Sequence, residues 1–536
     1  MNPAATTNLW AGVPIGEHLR LFSPLIALVA TMLAIVAVPL VLGRGTRRVA
    51  ATAAIGVALM LFLSLRVAPS VAAQGVSGLA PPSAGGMLIA DGLSVGFQVL
   101  LAVFLGAVLW MWWMGSADRE QNAPEFLILL LGSALGMALM AATSNLLMIV
   151  VAIETASLPS YAMVGFDKRD RTGAEASLKY MIFGAISAAI MLYGASLLYG
   201  LVGSLDAAAI AQYTASTMGS GPSRLVLYLG LLCFLAGIAF KISAVPFHFW
   251  CPDAFEGAKI EVTTWLSVAS KAAGLILLTR LAMTLCEAMA DPRALGVLSP
   301  VAWVLGIMAA ITATIGNFSA YKQQSVKRML AYSSIAHAGY MMMAAAVFVH
   351  PDSAGTHAGL GALFAYVVIY MFMNLGAFGV VALVSWESGS DRIEEFTGLA
   401  RRAPWLAVPF VFCLVSLIGV PPLAGFIGKW WILSALGGLQ SSLGWVLVLA
   451  AVVNTLISVY FYMRLVVQMT LRDDARPKLP LRIGGAVLVN GCALALLLLF
   501  VFAGPLKNST DRYARNWFRA TATRTADGSA VSLALP

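Results

Sequence analysis

The sequence predicts an all-α polytopic membrane protein with about 14 transmembrane helices. Of its 536 residues, 60% are hydrophobic and only 11% are charged, whereas soluble globular proteins are about 25% charged. The apolar residues are grouped in stretches of roughly 20, the length that a helix needs to cross the hydrocarbon layer. Lysines and arginines are concentrated in every second loop between these stretches, which is typical of membrane proteins with a fixed orientation.

The apolar stretches follow one another along the chain and define the predicted spans. The first is long enough to stay as a helix rather than be cleaved as a signal peptide. Beyond Pro505, a polar and arginine-bearing tail is predicted to lie outside the membrane. We place the spans near residues 21–42, 50–66, 92–114, 124–142, 145–166, 175–201, 224–250, 259–283, 295–318, 326–348, 357–386, 404–435, 443–468 and 481–504.

The loops alternate in charge, and this predicts the orientation. The basic loops carry eighteen cations: Arg44, Arg47, Arg48, Arg119, Lys168, Arg169, Arg171, Lys259, Lys322, Lys327, Arg328, Arg392, Arg401, Arg402, Arg472, Arg476, Lys478 and Arg482. Apart from the tail, the other loops carry only Arg20, Arg66, Arg224 and Arg293. Because cytoplasmic loops are enriched in lysine and arginine, both termini are expected on the outer side. The net charge of +9 is then explained by these loops and predicts no nucleic-acid partner.

Two of the predicted spans are interrupted by prolines. The seventh breaks at Ser243–Phe247 and is followed by a polar turn at Cys251–Gly257, and the twelfth breaks at Gly419–Phe426. A broken helix is tolerated in a membrane only where its freed backbone groups face protein or a water-filled cavity. Two such breaks in corresponding positions are typical of inverted-repeat transporters, whose sites lie at the breaks.

Six ionisable residues within the predicted spans are the candidate site residues. A charge at the bilayer centre costs roughly 2.5 kcal/mol or more, so such residues are functional by default. Burial favours the neutral form of an amine or a carboxyl group, and a nearby opposite charge favours the charged form. Groups balanced in this way exchange protons near neutral pH, and a series of them bridged by water predicts a proton relay. The relay residues are Glu154, Lys179, Lys241, Lys271, His337 and Lys429.

Each relay residue also has a structural alternative. Glu154 could satisfy hydroxyl groups or a backbone break. Lys179 is shallow enough for its amine to reach the interface, or it could pair with Glu175 one turn away. Lys241 and Lys271 could belong to a buried ion pair that transports nothing. Lys429 could face the interface, and His337 could be a hydrogen-bonded core histidine.

The other polar residues near the breaks are assigned structural, gating or interfacial roles. Around the turn after Pro246 we expect structural or gating residues, namely His248, Trp250, Asp253 and Glu256. Arg280 and Arg464 lie towards span ends and are expected at the membrane interface.

The sequence lacks the motifs of redox or nucleotide chemistry. Neither G-x-x-x-x-G-K-[ST] nor G-x-G-x-x-G occurs. The five cysteines (Cys233, Cys251, Cys286, Cys413 and Cys492) form no C-x-x-C pair, which argues against an iron–sulfur cluster or a structural zinc. Energy for transport must therefore come from a gradient or a partner.

The polar motifs carry a family resemblance. Over about residues 123–464 the chain resembles the antiporter-like membrane subunits of respiratory complex I (proton-pumping NADH:quinone oxidoreductase), and among them subunit N. A lysine after G-F-I-G favours N over M, and the P-D-A-F-E-G-A turn, S-V-A-S-K and the lack of a long C-terminal lateral helix favour N over L. The motifs are E-T-A-S-L-P-S-Y from Glu154, E-A-S-L-K-Y from Glu175, F-K-I-S-A-V-P-F-H-F-W-C-P-D-A-F-E-G-A from Phe240, S-V-A-S-K-A-A from Ser267, K-R-M-L-A-Y-S-S-I-A-H-A-G-Y from Lys327 and G-V-P-P-L-A-G-F-I-G-K from Gly419.

The resemblance implies a fold of fourteen helices with two inverted five-helix bundles, each containing a broken helix. The implied parts are helices 1–3 (1–122), a first bundle (123–285), a second bundle (295–470), a last helix (480–504) and an extramembrane tail (505–536). All six relay residues match positions of the family's relay. In this family, quinone reduction elsewhere in the complex is thought to drive the protons.

The resemblance also implies the surroundings of the chain. It would be a non-redox, proton-translocating subunit in the cell inner (cytoplasmic) membrane, in contact with the other membrane and peripheral subunits of complex I. It would bind no cofactor itself, with NADH, FMN, iron–sulfur clusters and quinone held by partner subunits. Two departures concern partner contacts: K-I-E-V-T (Lys259 to Thr263) replaces the usual P-T-P-V-T, and the tail is long.

Two other functions are compatible with these bundles. The chain could be a subunit of a cation/proton antiporter, or a structural subunit that has lost transport. The complete set of relay residues argues against the structural subunit, and the N-like motifs argue against the antiporter.

Overall fold

A computed structural model describes residues 15–43, 45–74, 87–115, 122–216, 222–287, 292–348, 353–439, 441–472 and 476–511. In these ranges the chain is helical, apart from loops and two isolated β-bridges. The helices, numbered in chain order, are α1 (Ile15–Leu21), α2 (Ser23–Leu42), α3 (Thr46–Gln74), α4 (Gly92–Gly115), α5 (Ala123–Met140), α6 (Leu146–Val164), α7 (Arg171–Val202), α8 (Ala207–Ser216), α9 (Pro222–Ile242), α10 (Trp250–Gly257), α11 (Ile260–Trp265), α12 (Lys271–Glu287), α13 (Pro292–Ala320), α14 (Val326–Phe348), α15 (Ser353–Ser388), α16 (Leu399–Arg402), α17 (Pro404–Ile418), α18 (Ala424–Gly438), α19 (Ser442–Thr470) and α20 (Ile483–Val501).

The predicted membrane-spanning character is confirmed. Within the described residues, twelve helical segments are long and apolar enough to cross a membrane, with α11 and α12 counted as one. The two other predicted spans correspond to α14, a 23-residue helix, and to α17 and α18, which have 15 residues each. The chain is therefore a multi-pass membrane protein.

Some of the predictions fall outside the described residues. Arg44, Arg119 and the part of the tail after residue 511 belong to this group. Of the predicted tail, residues 505–511 are described, and they are helical.

The predicted polar turn after the first break is wrong, because Trp250–Gly257 forms helix α10. Pro252 is the third residue of this helix. Because the first four N–H groups of a helix have no intrahelical acceptor, proline loses no hydrogen bond at this position. Asp253 follows in the first turn, where a carboxylate is favoured by the helix dipole. A sequence with a proline and two acidic residues therefore forms a short helix here instead of a turn.

The backbone freed by this break is satisfied by side chains. Ser243, just after α9, has φ = 65°, in the left-handed region that ends the helix. The Val245 N–H donates to Thr312 Oγ1 of α13 at 3.0 Å, and Trp250 Nε1 donates to the Phe240 carbonyl at 3.0 Å. Both bonds fix the break against protein, as an interrupted membrane helix requires.

The helix after α10 is also irregular. Between α11 and α12, Leu266–Ser270 form a π-helical segment that ends immediately before Lys271. Such bulges are frequent at functional sites. The segment is buried on all sides, and it sets the direction in which Lys271 leaves the helix.

The second break has a different local structure. Helix α17 ends at Gly419, whose φ of 87° is readily adopted only by glycine. Helix α18 begins at Ala424, and the Gly425 N–H donates to Ser416 Oγ at 3.0 Å. The predicted interruption of the twelfth span is present, with two fifteen-residue helices in place of one.

The two predicted bundles show corresponding features, although the inverted repeat itself stays a prediction. The loop before α6 is bridged to the loop after α7 by Asn145 and Asp206, and the loop before α14 is bridged to the loop after α15 by Ser325 and Arg392. In each case the next long hydrophobic span is the broken one. Such parallels are expected if the two bundles have the same arrangement of helices.

Close helix contact in the second half depends on small residues. A Cβ atom on Gly316 would lie 2.6 Å from the Ala336 backbone nitrogen, and one on Gly339 would lie 2.5 Å from that of Ala313. Helices α13 and α14 therefore pack backbone against backbone, as small residues allow in membrane proteins. This packing fixes the position of His337 between the two glycine contacts of the pair.

Candidate functional site

The buried ionisable residues and the half-buried Glu154 form a series, joined partly by hydrogen bonds and partly by charge interactions, that runs from α6 to α19. The series begins at Glu154 and Lys241, continues through Lys271, and reaches His337 and Lys429. The structure thus brings five of the six predicted relay residues into one arrangement. Lys179 lies apart from it.

Glu154 and Lys241 form the first group. Lys241 is in the last turn of α9 and is 0% exposed. Its Nζ donates to Ser157 Oγ at 3.2 Å. Ser157 is three residues after Glu154 on α6, so both side chains lie on the same helix face. Glu154 is half-buried, and its charge and that of Lys241 act on each other.

Lys271 forms the second group and is also 0% exposed. Its Nζ donates to Cys251 Sγ at 3.5 Å and lies 4.8 Å from the centre of the Phe255 ring. In the described part of the chain, no carboxylate lies within salt-bridge distance of this amine. Its positive charge is instead stabilised by aromatic rings and interacts with the charge of Lys241.

His337 is the centre of the third group. It is 2% exposed, and its Nδ1 is 2.8 Å from the Tyr366 hydroxyl. Its Nε2 is 3.4 Å from the Tyr462 hydroxyl, which is itself hydrogen-bonded to Ser333. Both ring nitrogens therefore have a hydroxyl partner that can donate or accept, whichever tautomer is present.

Lys429 completes the series on α18. It is buried, which excludes the alternative that it faces the interface. Its Nζ donates to the Ile418 carbonyl at 2.9 Å and to Thr455 Oγ1 at 3.4 Å. The amine also lies 4.5 Å from the centre of the Tyr340 ring, and its charge acts on His337. The lysine therefore satisfies a carbonyl that the helix break leaves free.

Lys179 belongs to a separate charged network. Its side chain is 44% exposed, and its Nζ lies 2.7 Å from Glu175 and 3.0 Å from Asp253. Arg328 of α14 joins the same network, at 2.7 Å from Asp253 and 2.6 Å from Glu256. The structural alternative of a pair with Glu175 is thus present, and Lys179 contacts these carboxylates instead of Glu154.

A cavity of about 490 Å³ lies beside this network. Its lining includes Lys179, His248, Phe249, Asp253 and Arg328. His248 is itself largely buried. Of the four predicted structural or gating residues near the first break, His248 and Asp253 therefore line an opening between α7, α10 and α14, whereas Trp250 is fully buried.

Arg280 is not interfacial, and that prediction is wrong. It is 2% exposed, and its guanidinium donates to both oxygens of Asp91 at 2.7 and 2.6 Å. Asp91 is equally buried and lies just before α4, where its Oδ1 also accepts the Ser94 N–H. The partner of Arg280 is 189 residues away in the sequence, so its burial follows from tertiary contact and not from depth in the span.

Arg464 lies near the end of α19, and its position at the membrane interface stays a prediction. It is partly exposed, and its guanidinium donates to the Tyr321 carbonyl at 2.8 Å and to Gln324 Oε1 at 3.3 Å. Both partners belong to the end of α13 and the loop that follows it. The side chain therefore holds that loop near the end of α19.

Sequence reasoning missed the polar partners of the relay residues, including Tyr366, Tyr462 and Thr455. Ser157, Cys251 and Ser334 contact or connect the relay residues, and Asp91 is the partner of Arg280. Serine and cysteine are common in membrane helices, so their identity alone did not mark them. Asp91 directly precedes a predicted span and resembles an ordinary helix start.

The arrangement is suited to holding and passing protons. It consists of amines, hydroxyls, a thiol and an imidazole, each with a hydrogen-bond partner or a charged neighbour. Among the residues that the structure describes, no group of three histidine, cysteine, aspartate or glutamate side chains could hold a metal ion.

Comparison with known families decides the class of protein. Residues 143–458 match the family described as "NADH:quinone oxidoreductase/Mrp antiporter, TM". The chain belongs to this family. The matched region contains all six relay residues and both helix breaks.

Individual members of the family are similar over most of their length. NADH-quinone oxidoreductase subunit N 2 of Sorangium cellulosum (strain So ce56) is 42% identical over 440 residues, which are 80% of this chain and 84% of that protein. NADH-quinone oxidoreductase subunit N of Anaeromyxobacter sp. (strain Fw109-5) is 35% identical over 523 residues, 93% of this chain and 97% of that protein.

A solved structure supports the same class. A chain of respiratory complex I from Thermus thermophilus with bound aureothin is 30% identical, with a TM-score of 0.72, over 90% of this chain and 98% of that chain. The resemblance to complex I membrane subunits predicted from the motifs is thereby confirmed.

Proposed function

We propose that this chain is the N-type membrane subunit of an NADH:quinone oxidoreductase and that it translocates protons through its buried relay residues. The observation that carries the proposal is the series of contacts from Glu154 to Lys429. Three buried lysines and a buried histidine follow one another in it, linked by hydroxyl and thiol groups or by direct charge interaction. The names of the relatives indicate the enzyme complex, and the series of buried residues indicates the path of the protons.

The geometry favours proton exchange over fixed charge. Desolvation disfavours a charged amine unless a counter-charge is near. Lys241 has Glu154 as a neighbour on one side and the like charge of Lys271 on the other. A proton on Lys241 is held when Glu154 is ionised and is released more easily when Glu154 is neutral or when Lys271 becomes charged. Lys429 and His337 are coupled in the same way by like charge.

The driving reaction takes place outside this chain. The relatives are named as subunits of NADH-quinone oxidoreductase, and this chain lacks the motifs of a redox centre. NADH, FMN, iron–sulfur clusters and quinone therefore belong to partner membrane and peripheral subunits. The chain acts as a non-redox translocase in the cell inner (cytoplasmic) membrane, with its basic loops in the cytoplasm and its termini on the outer side.

The test is substitution of Lys241 by a cation that keeps its proton. Arginine stays charged in proteins because its pKa exceeds about 12. We expect Lys241→Arg to allow assembly but to impair proton pumping nearly as much as Lys241→Ala does. The measurement is NADH-driven proton uptake in sealed membrane vesicles, with the amount of assembled complex determined in parallel.

A matched control shows whether arginine is tolerated elsewhere. Lys168 is exposed in the loop before α7, and Lys168→Arg is expected to pump like the wild type. Wild-type pumping by Lys241→Arg would show that Lys241 is a fixed charge, and the proposed relay would be wrong at its first lysine.

A cation/proton antiporter is the second candidate, because the family description includes Mrp antiporters. The identity to proteins named subunit N favours the oxidoreductase. An antiporter would dissipate a preformed pH gradient when Na⁺ or K⁺ is added to vesicles, without NADH. Purification of the chain with NADH-oxidising partners, and no cation-dependent dissipation, is the expected result.

A further inference from the structure

The two lysine-bearing halves of the series meet at the thiol of Cys251. Cys251 lies in α10 and is fully buried. On one side its Sγ accepts the hydrogen bond from Lys271 Nζ of α12 at 3.5 Å. On the other side the same sulfur is 4.0 Å from Ser334 Oγ of α14. The thiol therefore contacts a polar side chain of the eighth predicted span and one of the tenth.

The surroundings of Lys271 make this contact important. Aromatic rings of Trp250 and Phe255 flank its amine, and rings can stabilise a cation but cannot accept its proton. Among the described residues, Cys251 Sγ is the polar atom within hydrogen-bond distance of Lys271 Nζ. A proton that leaves Lys271 towards α14 meets this sulfur first.

The contacts continue from Ser334 towards His337. The two residues are three apart on α14, so they are neighbours on the helix surface. The Tyr370 hydroxyl of α15 donates to the Ser267 carbonyl at 3.4 Å, and the Ser334 hydroxyl donates to the Ala331 carbonyl at 2.7 Å. The Tyr370 ring is centred 5.3 Å from the His337 ring. Ser334 and Tyr370 thus place hydroxyl groups near the thiol and the histidine, whose own ring nitrogens face Tyr366 and Tyr462.

We propose that Cys251 passes protons between Lys271 and His337 by way of Ser334, a role that rests on the proposed function of the relay. The Lys271 ammonium gives one proton to Sγ while the S–H bond gives its own proton to Ser334 Oγ. Ser334 passes its hydroxyl proton on towards the part of α14 that carries His337. One proton leaves Lys271 and one arrives at the histidine side, the thiol is neutral before and after, and no electron is transferred.

The test compares Cys251→Val with Cys251→Ser in the assembled complex. Valine is apolar and somewhat larger than cysteine and has no donor or acceptor, whereas serine has both. In sealed vesicles we expect Cys251→Val to lower the protons moved per NADH oxidised towards the level of Lys271→Ala. Cys251→Ser is expected to keep most of the wild-type ratio.

Cys413 provides the matched control, because it is equally buried and lies in α17 outside the relay contacts. Cys413→Val is expected to leave the ratio unchanged. If valine at position 251 prevents assembly, Cys251→Ala is measured with the same expectation.

Two outcomes would overturn the proposal. A wild-type ratio in assembled Cys251→Val would show that protons bypass the thiol, and equal impairment by valine and serine would show that Cys251 acts only through packing. The Lys241→Arg variant distinguishes both outcomes from failure of the proposed function, because that variant pumps normally only if the proposed function itself is wrong. Loss of pumping in Cys251→Val, together with retained pumping in Cys251→Ser, supports proton transfer through Cys251.

Discussion

The residues of the site differ in how their charges are compensated. Lys241, Lys271 and Lys429 are buried and bind hydroxyl, thiol or carbonyl groups. Lys179 and Arg328, in contrast, bind carboxylates at the surface of the bundle. A lysine paired with carboxylates keeps its proton, whereas a buried lysine with neutral partners is able to lose it. The partner of each lysine is therefore the basis on which we predict a structural or a transporting role.

Lys179 is predicted to tolerate arginine, because arginine can also bind Glu175 and Asp253. We expect Lys179→Arg to retain most pumping and Lys179→Ala to lose some through loosening of α10. The measurement is NADH-driven proton uptake, normalised to assembled complex. Equal and severe losses in both variants would instead support a proton-carrying role for Lys179.

Glu154 and Lys241 are predicted to act as a coupled pair. The loss of pumping in the double variant Glu154→Gln/Lys241→Ala should be smaller than the combined losses of the two single variants, because each residue acts through the other. A double-mutant cycle on pumping rates measures this coupling. The matched cycle of Glu154→Gln with Lys179→Ala is expected to be additive, and strong coupling in that second cycle would contradict the contacts described.

The buried pair of Asp91 and Arg280 is predicted to stabilise the fold. Removing one partner of a buried ion pair costs about 3–5 kcal/mol, because the other charge is left uncompensated. We expect Asp91→Ala to lower the thermal stability of the purified complex or the content of this subunit. The double variant Asp91→Ala/Arg280→Met should recover part of the loss, and no recovery would mean that the single variant fails for another reason.

At the scale of helices, the two breaks position the relay. The first separates Lys241 from α10, and the second places the Ile418 carbonyl against Lys429. Both interruptions were predictable from prolines in apolar runs. Helix α10 was not, because proline and acidic residues are typical of turns, and its stability comes from packing against α7 and α14. The π-helical segment before Lys271 likewise has no local sequence feature that would reveal it.

The second break is predicted to require Gly419. Its left-handed backbone costs another residue roughly 1–2 kcal/mol, and an added Cβ would lie 2.8 Å from Lys429 Cδ. We expect Gly419→Ala to shift the Lys429 amine and to lower pumping more than it lowers assembly. Gly437→Ala is the matched control on the same pair of helices, since a Cβ there meets no atom within 4 Å. Equal pumping by the two variants would show that the break tolerates displacement of this lysine.

At the scale of the whole molecule, the sequence predicted the spans better than the contacts. Apolar length and loop charge are local properties, so the predicted helices and their order agree with the structure. The burial of Arg280 and the position of Cys251 depend on residues far away in the chain. The motifs identified Lys241, Lys271, His337 and Lys429, but the groups that connect them came from the packing of helices.

The orientation is predicted to place residue 169 in the cytoplasm and residue 204 outside. Arg169→Cys and Ser204→Cys lie at opposite ends of α7. Of the described native cysteines, Cys251, Cys413 and Cys492 are buried and Cys233 is partly exposed. A membrane-impermeant maleimide should label the first only in inside-out vesicles and the second only in right-side-out vesicles. The wild-type chain gives the background, and labelling of both positions from one face would contradict the orientation.

Helix α10 makes two kinds of contact at once. Asp253 ties it to Lys179 and Arg328, while Cys251, two residues earlier, holds Lys271. The break before Trp250 separates this eight-residue segment from α9. Because α10 carries both kinds of contact within eight residues, we expect a change in the outer salt bridges to alter the contact between Cys251 and Lys271 as well. The charges at the surface and the amine in the interior are thus connected through one short helix.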